Sequence, residues 1–515
     1  MMSLLKQSVA CRSPGYGKPF ALESMEPRLL MSVGVTPHNH KTTIDGPSYK
    51  LTARPNVNIT REPGNQAEQS IAIDPTHPSH LFEVSNVDVG DFLVGAVSTD
   101  AGKTWSTRHM ATGADGLPAA CCDPSAAFDA RGNLFITYLS ADFESIYVGL
   151  STNGGKSFRL IQTYSDPNID QPTVVTGPHS VWVVFRGSDG KVFAAGARVT
   201  AGLGKVGKFG PLEEIPGSAT GNYADIAVGP RGQVLVTYQT DSDSDAATTI
   251  FANLDPDGLG PKGFGPAIPV TPTNVGGFDL IPAMGSRGID AEAGLAWDRS
   301  GGPHTGRVYL VYTDEHPFAS DNIDIFVRHS DDNGKTWSPP VRVNDDATRN
   351  SQFLPRIAID QTTGNVAVTW HDSRNDLGKG GPGDTDGIPN DDAQFYASVS
   401  TDGGRTFFSN VRLSAGTSNA PDAQNSVGYG DYAGLDFYAG KFYPAWADNS
   451  NSTNDNPDGA LQTLDVYTTQ VTVSSIRSSE RCFSRNHIEE ERDEESIFQS
   501  GRAPARRRRP SIELD

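Results

Sequence analysis

The sequence predicts an all-β fold built from one repeated sheet unit. Three observations carry that prediction. The 515 residues include 54 Gly and 35 Pro, above the usual share, and both residues punctuate turns. Short runs of strand-forming residues recur between these turns, such as Leu134 to Tyr138 and Val181 to Phe185. An octapeptide also returns four times: Ser98 to Trp105 (STDAGKTW), Ser151 to Phe158 (STNGGKSF), Ser330 to Trp337 (SDDNGKTW) and Ser400 to Phe407 (STDGGRTF). A pattern this specific is expected by chance on the order of once in a million positions.

The octapeptide reads as a tight hairpin. Its Asp or Asn accepts hydrogen bonds from turn N–H groups. The Gly two places later supplies a positive φ without steric cost. The closing aromatic leaves the turn to fill an apolar gap between neighbouring sheets. These roles are structural, so the boxes themselves are not expected to carry chemistry.

The octapeptide resembles the Asp-box, or BNR repeat, of the sialidase superfamily. The resemblance implies a β-propeller of four-stranded antiparallel blades over roughly 55–472, each box joining the third strand of a blade to its fourth.

Seven such units can be read in order. The first has Ile71 to Asp74, Leu81 to Val84 and Phe92 to Ser98. The second has Ala126 to Asp129, Leu134 to Tyr138 and Ile146 to Ser151. The third (Pro172 to Val175, Val181 to Phe185) and fourth (Ile226 to Val228, Val234 to Tyr238) lack a good box. The fifth and sixth begin at Gly294 to Asp298 and Ile357 to Asp360. The seventh, from Gly434, lacks a fourth strand, and Pro55 to Thr60 is the segment available to close the ring. The expectation is a seven-bladed propeller. Catalytic sialidases are typically six-bladed, so six blades with extra strands is the alternative.

Alternating strand direction puts the boxes on one face and the approaches to each first strand on the other. The second face is the expected mouth. Asp123, Asp170, Asp225, Glu292, Arg356 and the cluster Tyr429 to Tyr432, including Asp431, stand just before first strands. Asp314, Asp372 and Asp448 follow second strands in a repeated aromatic-x-Asp pattern, as Arg186 and Arg374 follow theirs. An Asp after a strand also caps turns, so each is read both ways. The sialidase resemblance implies specific roles: Tyr432 as nucleophile, Asp123 or Asp372 as acid/base, and Arg186, Arg356 and Arg374 as a clamp on a substrate carboxylate. Two departures stand against it. The family's early Arg-Ile-Pro motif is absent, Leu354 to Ile357 being the nearest string, and no Glu pairs with Tyr432 in the sequence.

The sixth unit carries an insertion with Asp384, Asp386, Asn390, Asp391 and Asp392, which resembles calcium loops of extracellular modules. Hard oxygens on a Gly-permitted turn suit Ca²⁺. A plain acidic loop is the other reading.

Several classes are excluded. A net charge of −20 opposes general nucleic-acid binding. No apolar run approaches a membrane span. Leu22 to Ser32 resembles the LEPR-type motif of exported bacterial proteins, which implies a secreted or surface location within a disordered leader over 1–54. Residues 473–515 read as a charged, disordered tail, with an acidic run at 488–495 and a basic run at 506–509. Of Cys11, Cys121, Cys122 and Cys482, the adjacent pair is expected as free thiols. Two functions follow: a monomeric surface propeller binding a glycan or extracellular protein at an acidic mouth (Asp314, Asp431 and Asp448 among its contacts), or a sialidase-type glycoside hydrolase. A purely structural envelope component is a third.

Overall fold

The computed structural model describes residues 48–476, apart from 167, 241–245, 286 and 424–426. The LEPR-type segment, the charged runs, Cys11 and Cys482 lie outside the described residues. Seven sheets follow one another. Their inner strands are Gln66–Ile73, Ser125–Phe128, Asp170–Thr176, Gly221–Val228, Gly294–Trp297, Gln352–Ile359 and Gly434–Tyr438. Each inner strand packs on the next, and the seventh returns to the first. The chain is a seven-bladed β-propeller, as the unit count predicts, rather than a six-bladed one.

Closure works as expected, with an extension. Val57–Asn58 pairs with Asp465–Thr468, placing an N-terminal strand on the outside of blade seven. The partnership continues outside the expected 55–472: Ser48–Ala53 pairs with Val471–Ile476 in register. Asn58 Nδ2 and Thr60 Oγ1 donate to the buried Asp465 carboxylate at 2.6 and 3.1 Å. The two ends of the ring are therefore sewn by backbone and side chain together, leaving no free edge there.

The boxes show why their residues recur. In the third box Ser330 Oγ donates to Asp332 Oδ1 at 2.8 Å, and the same carboxylate oxygen accepts the N–H groups of Lys335 and Thr336 at 3.1 and 2.9 Å. The turn needs a left-handed residue, and Gly334 supplies it with a φ of +83°. Space excludes a side chain there as well: a Cβ on Gly334 would lie 2.8 Å from Leu235 of the preceding blade, and one on Gly155 would lie 2.4 Å from Phe82. The aromatics fill the seams, Trp105 joining Leu81 and Tyr443, and Phe158 lying 5.5 Å from Phe82 between ring centroids.

Inner strands are also stitched laterally. Ser70 Oγ accepts the Ala126 N–H at 3.0 Å, Ser125 Oγ the Val174 N–H at 3.1 Å, and Asp225 Oδ2 the Leu295 N–H at 2.8 Å. Neighbouring inner strands diverge from the axis and cannot pair fully, so side chains satisfy the remaining donors. Among the described residues no helix is long and apolar enough to cross a membrane. Cys121 and Cys122 form a vicinal disulfide, which corrects the expectation of free thiols.

Candidate functional site: the propeller mouth

A channel of about 600 Å³ runs along the axis, lined by the inner strands of all seven blades. Its far end is crossed by Arg299, whose Nη1 donates to the carbonyls of Thr176 and Val228 at 2.7 and 3.1 Å. Burial pulls this guanidinium down to about 10. The middle is apolar, with Ile71, Val174, Ile226 and Leu295 among its walls. Polar chemistry gathers at the opposite end.

One backbone device builds that end. Glu68, Asp123, Gln171, Tyr223, Glu292 and Leu354 each stand three residues before the apolar stretch of an inner strand. All six adopt left-handed φ values between 48° and 54°. Register shifts mark the same place in blades one, three, four and six. The bulge reorients each of these side chains, at a backbone cost of about 1 kcal/mol per residue; Gln171, Tyr223 and Glu292 line the channel, whereas Leu354 packs into an apolar cluster. Tyr432 holds the equivalent place in blade seven, two residues before Gly434 as Glu292 is before Gly294.

The ring assembles an acidic group. Burial, reinforced by Asp431, raises Glu68 to about 7. Asp123 is pushed well above the carboxylate range by burial, then by Glu68 and Asp170. Asp170 is raised too, chiefly by burial. Asp123 hydrogen-bonds to both Glu68 and Asp170 and lowers both, so a proton on this group is shared within a cluster of three carboxyls. Asn86 Nδ2 donates to Glu68 Oε2 at 2.5 Å. Opposite lies Asp431, clamped by Arg287 through Nε at 2.8 Å and Nη2 at 2.5 Å, with the Tyr223 hydroxyl 3.4 Å away. The guanidinium also covers the Phe278 ring at 4.9 Å. Asp290 and Glu292, both raised well above the usual range by burial, complete this side.

Of the residues expected at the site, Asp123, Arg356, Asp431 and Tyr432 meet here. The Tyr432 hydroxyl donates to the Pro124 carbonyl at 3.3 Å. Its phenol is raised well above the usual phenol range by burial and then by Asp123 and Glu68. Glu68 supplies the acidic neighbour of Tyr432 that the sequence does not reveal. Arg356 Nη1 lies 3.8 Å from Asp225 Oδ2. Arg186 stands beside Asp170 and donates from Nε to the Gly221 carbonyl at 3.2 Å.

The remaining expectations are corrected. Asp372, Asp448, Asp314 and Arg374 do not line the channel. The aromatic-x-Asp repeat is a clasp inside a strand: Trp370 Nε1 donates to Asp372 Oδ2 at 2.7 Å and Trp446 Nε1 to Asp448 Oδ2 at 3.0 Å. Asp314 accepts the Asn274 and Glu315 N–H groups at 2.9 and 3.0 Å, a turn cap. Arg374 is consumed by Asp372 and Asp345, at 2.7 and 2.8 Å, and lies over Tyr396. The three-arginine clamp is therefore not assembled.

In the calcium-like insertion Asp391 and Asp392 gather with Asp376, and Asp384 and Asp386 gather with Asp392. Asn390 is engaged elsewhere, its Oδ1 accepting the Ser351 N–H at 2.8 Å.

A family model described as BNR/Asp-box repeat matches residues 328–339, which enclose the third box. The chain carries the BNR/Asp-box repeat. A search of curated proteins returned no match. Among solved structures the propeller is similar to a protein of unknown function from Dyadobacter fermentans (13% identity, 82% of this chain and 99% of that one, TM-score 0.44). It is also similar to a Penicillium chrysogenum α-L-arabinanase complexed with arabinobiose (12%, 82% and 98%, TM-score 0.42). The phage phi92 endosialidase is a third (12%, 82% and 70%, TM-score 0.42).

Proposed function

We propose that this propeller binds a neutral glycan at its acidic mouth. The observation that carries the reading is the bulge ring, which aims carboxylates, an amide and two phenols from successive blades at one opening. Carboxylates and amides take sugar hydroxyls in pairs, and Tyr223, Phe278 and Tyr432 offer surface to the apolar faces of a ring. The charge balance selects against an acidic sugar. Glu68, Asp123, Asp170, Asp225, Asp290, Glu292 and Asp431 face Arg186, Arg287 and Arg356, and Arg287 is already paired with Asp431. A sialoside carboxylate would enter this field without a free bidentate clamp. A secreted or surface location accompanies the proposal, and the Cys121–Cys122 disulfide suits an oxidising compartment.

One observation favours hydrolysis as a second reading. Burial, then Glu68 and Asp170, raise the Asp123 carboxyl well above the carboxylate range, and a carboxyl that keeps its proton can act as general acid toward a glycosidic oxygen. Asp123 is then the acid.

The test is a glycan array with neutral and sialylated members, followed by calorimetry and a fluorogenic glycoside panel. Neutral glycans are expected to be retained, with binding weakened about tenfold or more by Arg287→Ala, which releases Asp431. Retention of sialylated members alone, or of none, would sink the proposal. Turnover abolished by Asp123→Asn with binding intact would add hydrolysis to it.

A further inference from the structure

The insertion between the second and third strands of blade six holds more buried acid than its fold explains. Asp376, Asp391 and Asp392 are 1%, 6% and 0% exposed. One carboxylate oxygen from each lies within 4.8 Å of the others. Asp376 Oδ2 accepts the N–H groups of Asp391 and Asp392 at 2.9 Å each. Asp392 Oδ1 accepts the Thr385 hydroxyl at 2.8 Å. Asp391 differs from both: its Oδ1 is buried and has no hydrogen-bond partner. Among the described residues no Lys, Arg or His forms an ion pair with any of the three. Buried like charges this close take up protons or hold a cation.

We propose that Asp376, Asp391 and Asp392 bind one Ca²⁺, with Asp384 and Asp386 closing its outer side through the group they form with Asp392. The donors are hard oxygens on a backbone that turns back on itself at Gly378, Gly387 and Asn390, with φ of 63°, 88° and 68°. Such a loop tolerates the high coordination number and longer bonds of calcium better than the strict octahedron of magnesium. Asp376 enters the site from the end of the preceding strand. Asn390, instead of ligating, ties the loop to Ser351 at the entry to the inner strand of blade six. The ion therefore locks an insertion on the mouth face of blade six, independently of whether the mouth takes a glycan.

The experiment uses the full chain, stripped with EGTA and titrated calorimetrically with CaCl₂ alone, with MgCl₂ as comparator and thermal melts alongside. One-site uptake is expected, at least tenfold weaker for Mg²⁺, with a rise in Tm on adding Ca²⁺. Asp391→Asn is expected to weaken Ca²⁺ binding at least tenfold. In EGTA its Tm should equal or exceed that of the parent, because a buried like charge is gone, and this separates a lost ligand from a damaged fold. Asp189→Asn, an exposed acid in blade three, should bind as the parent does. No heat and no Tm shift up to about 10 mM Ca²⁺, beyond the weakest extracellular sites, overturns the proposal. Undiminished Ca²⁺ binding by Asp391→Asn overturns it equally.

Discussion

Glu68→Gln should make the protein more stable at neutral pH. Glu68 is 3% exposed, and its carboxyl is raised from 4.5 to about 7, first by burial and then by Asp431. The unfolded chain releases this proton near the ordinary value, whereas the folded chain keeps it until about 7. Across that interval the unfolded state binds fewer protons, so stability falls as pH rises and levels off above it. At about 1.4 kcal/mol per pH unit, folding carries a penalty of about 3 kcal/mol at pH 7. An amide never ionises, and its oxygen still accepts from Asn86, which now donates to Oε2 at 2.5 Å. The variant should therefore gain up to about 3 kcal/mol at pH 7 and almost nothing near pH 4, a rise of about 3 °C in Tm for a domain this large. Calorimetric melts of parent and variant between pH 4 and 8 measure it. A variant that melts lower at pH 7, or keeps the full decline in stability from pH 5 to 7, would refute the assignment of Glu68 as a buried, proton-holding acid.

Two further outcomes test the scaffold. Gly155→Ala puts a Cβ 2.4 Å from Phe82 at a φ of +83° and should cost about 2–4 kcal/mol. Gly232→Ala, with φ of +86° and nothing within 4 Å, should cost only about 1–2 kcal/mol, so denaturant midpoints of the pair separate close approach from backbone conformation. Deleting residues 1–60 removes the strands that pair with Asp465–Thr468 and Val471–Ile476. The bare edge should broaden the melt and produce concentration-dependent association on size exclusion; a sharp, monomeric parent-like melt would contradict the closure described.

The scaffold is legible in the sequence because its parts demand particular residues at fixed offsets. Only Ser, Asp or Asn, and Gly satisfy the box hydrogen bonds and the contact with the preceding blade, so four copies stand out. The need for an N-terminal closing strand is legible for a similar reason, since a seventh unit without a fourth strand leaves an edge to fill. The site is harder to read. Glu68 sits in a run, Gln66 to Ile73, that looks like uninterrupted strand, and the bulge that turns it inward leaves no composition signal. A weaker signal exists: Glu68, Asp123 and Glu292 precede their apolar stretches by the same interval. Arg287 comes from the long connection before blade five and has no repeat to point at it. The aromatic-x-Asp pattern misleads because an indole N–H bonded to an Asp two residues away repeats as faithfully as a site does.

Sameness and difference within the repeat thus mean opposite things. The box positions are filled alike in four blades because each plays one structural role, and variation there would break a turn or a seam. The bulge positions share a backbone state yet carry Glu, Asp, Gln, Tyr, Glu and Leu in succession. If the bulge served only to bend the strand, Gly would relieve the left-handed φ in every blade. No blade uses Gly there. Leu354 packs into an apolar cluster, but the other five positions hold polar side chains that differ from blade to blade, and a backbone cost kept at equivalent positions with dissimilar polar residues points to recognition of an asymmetric partner rather than to folding. An asymmetric ligand needs unlike groups around it, and a ring of repeats supplies them most directly by varying one slot per blade on a fixed frame.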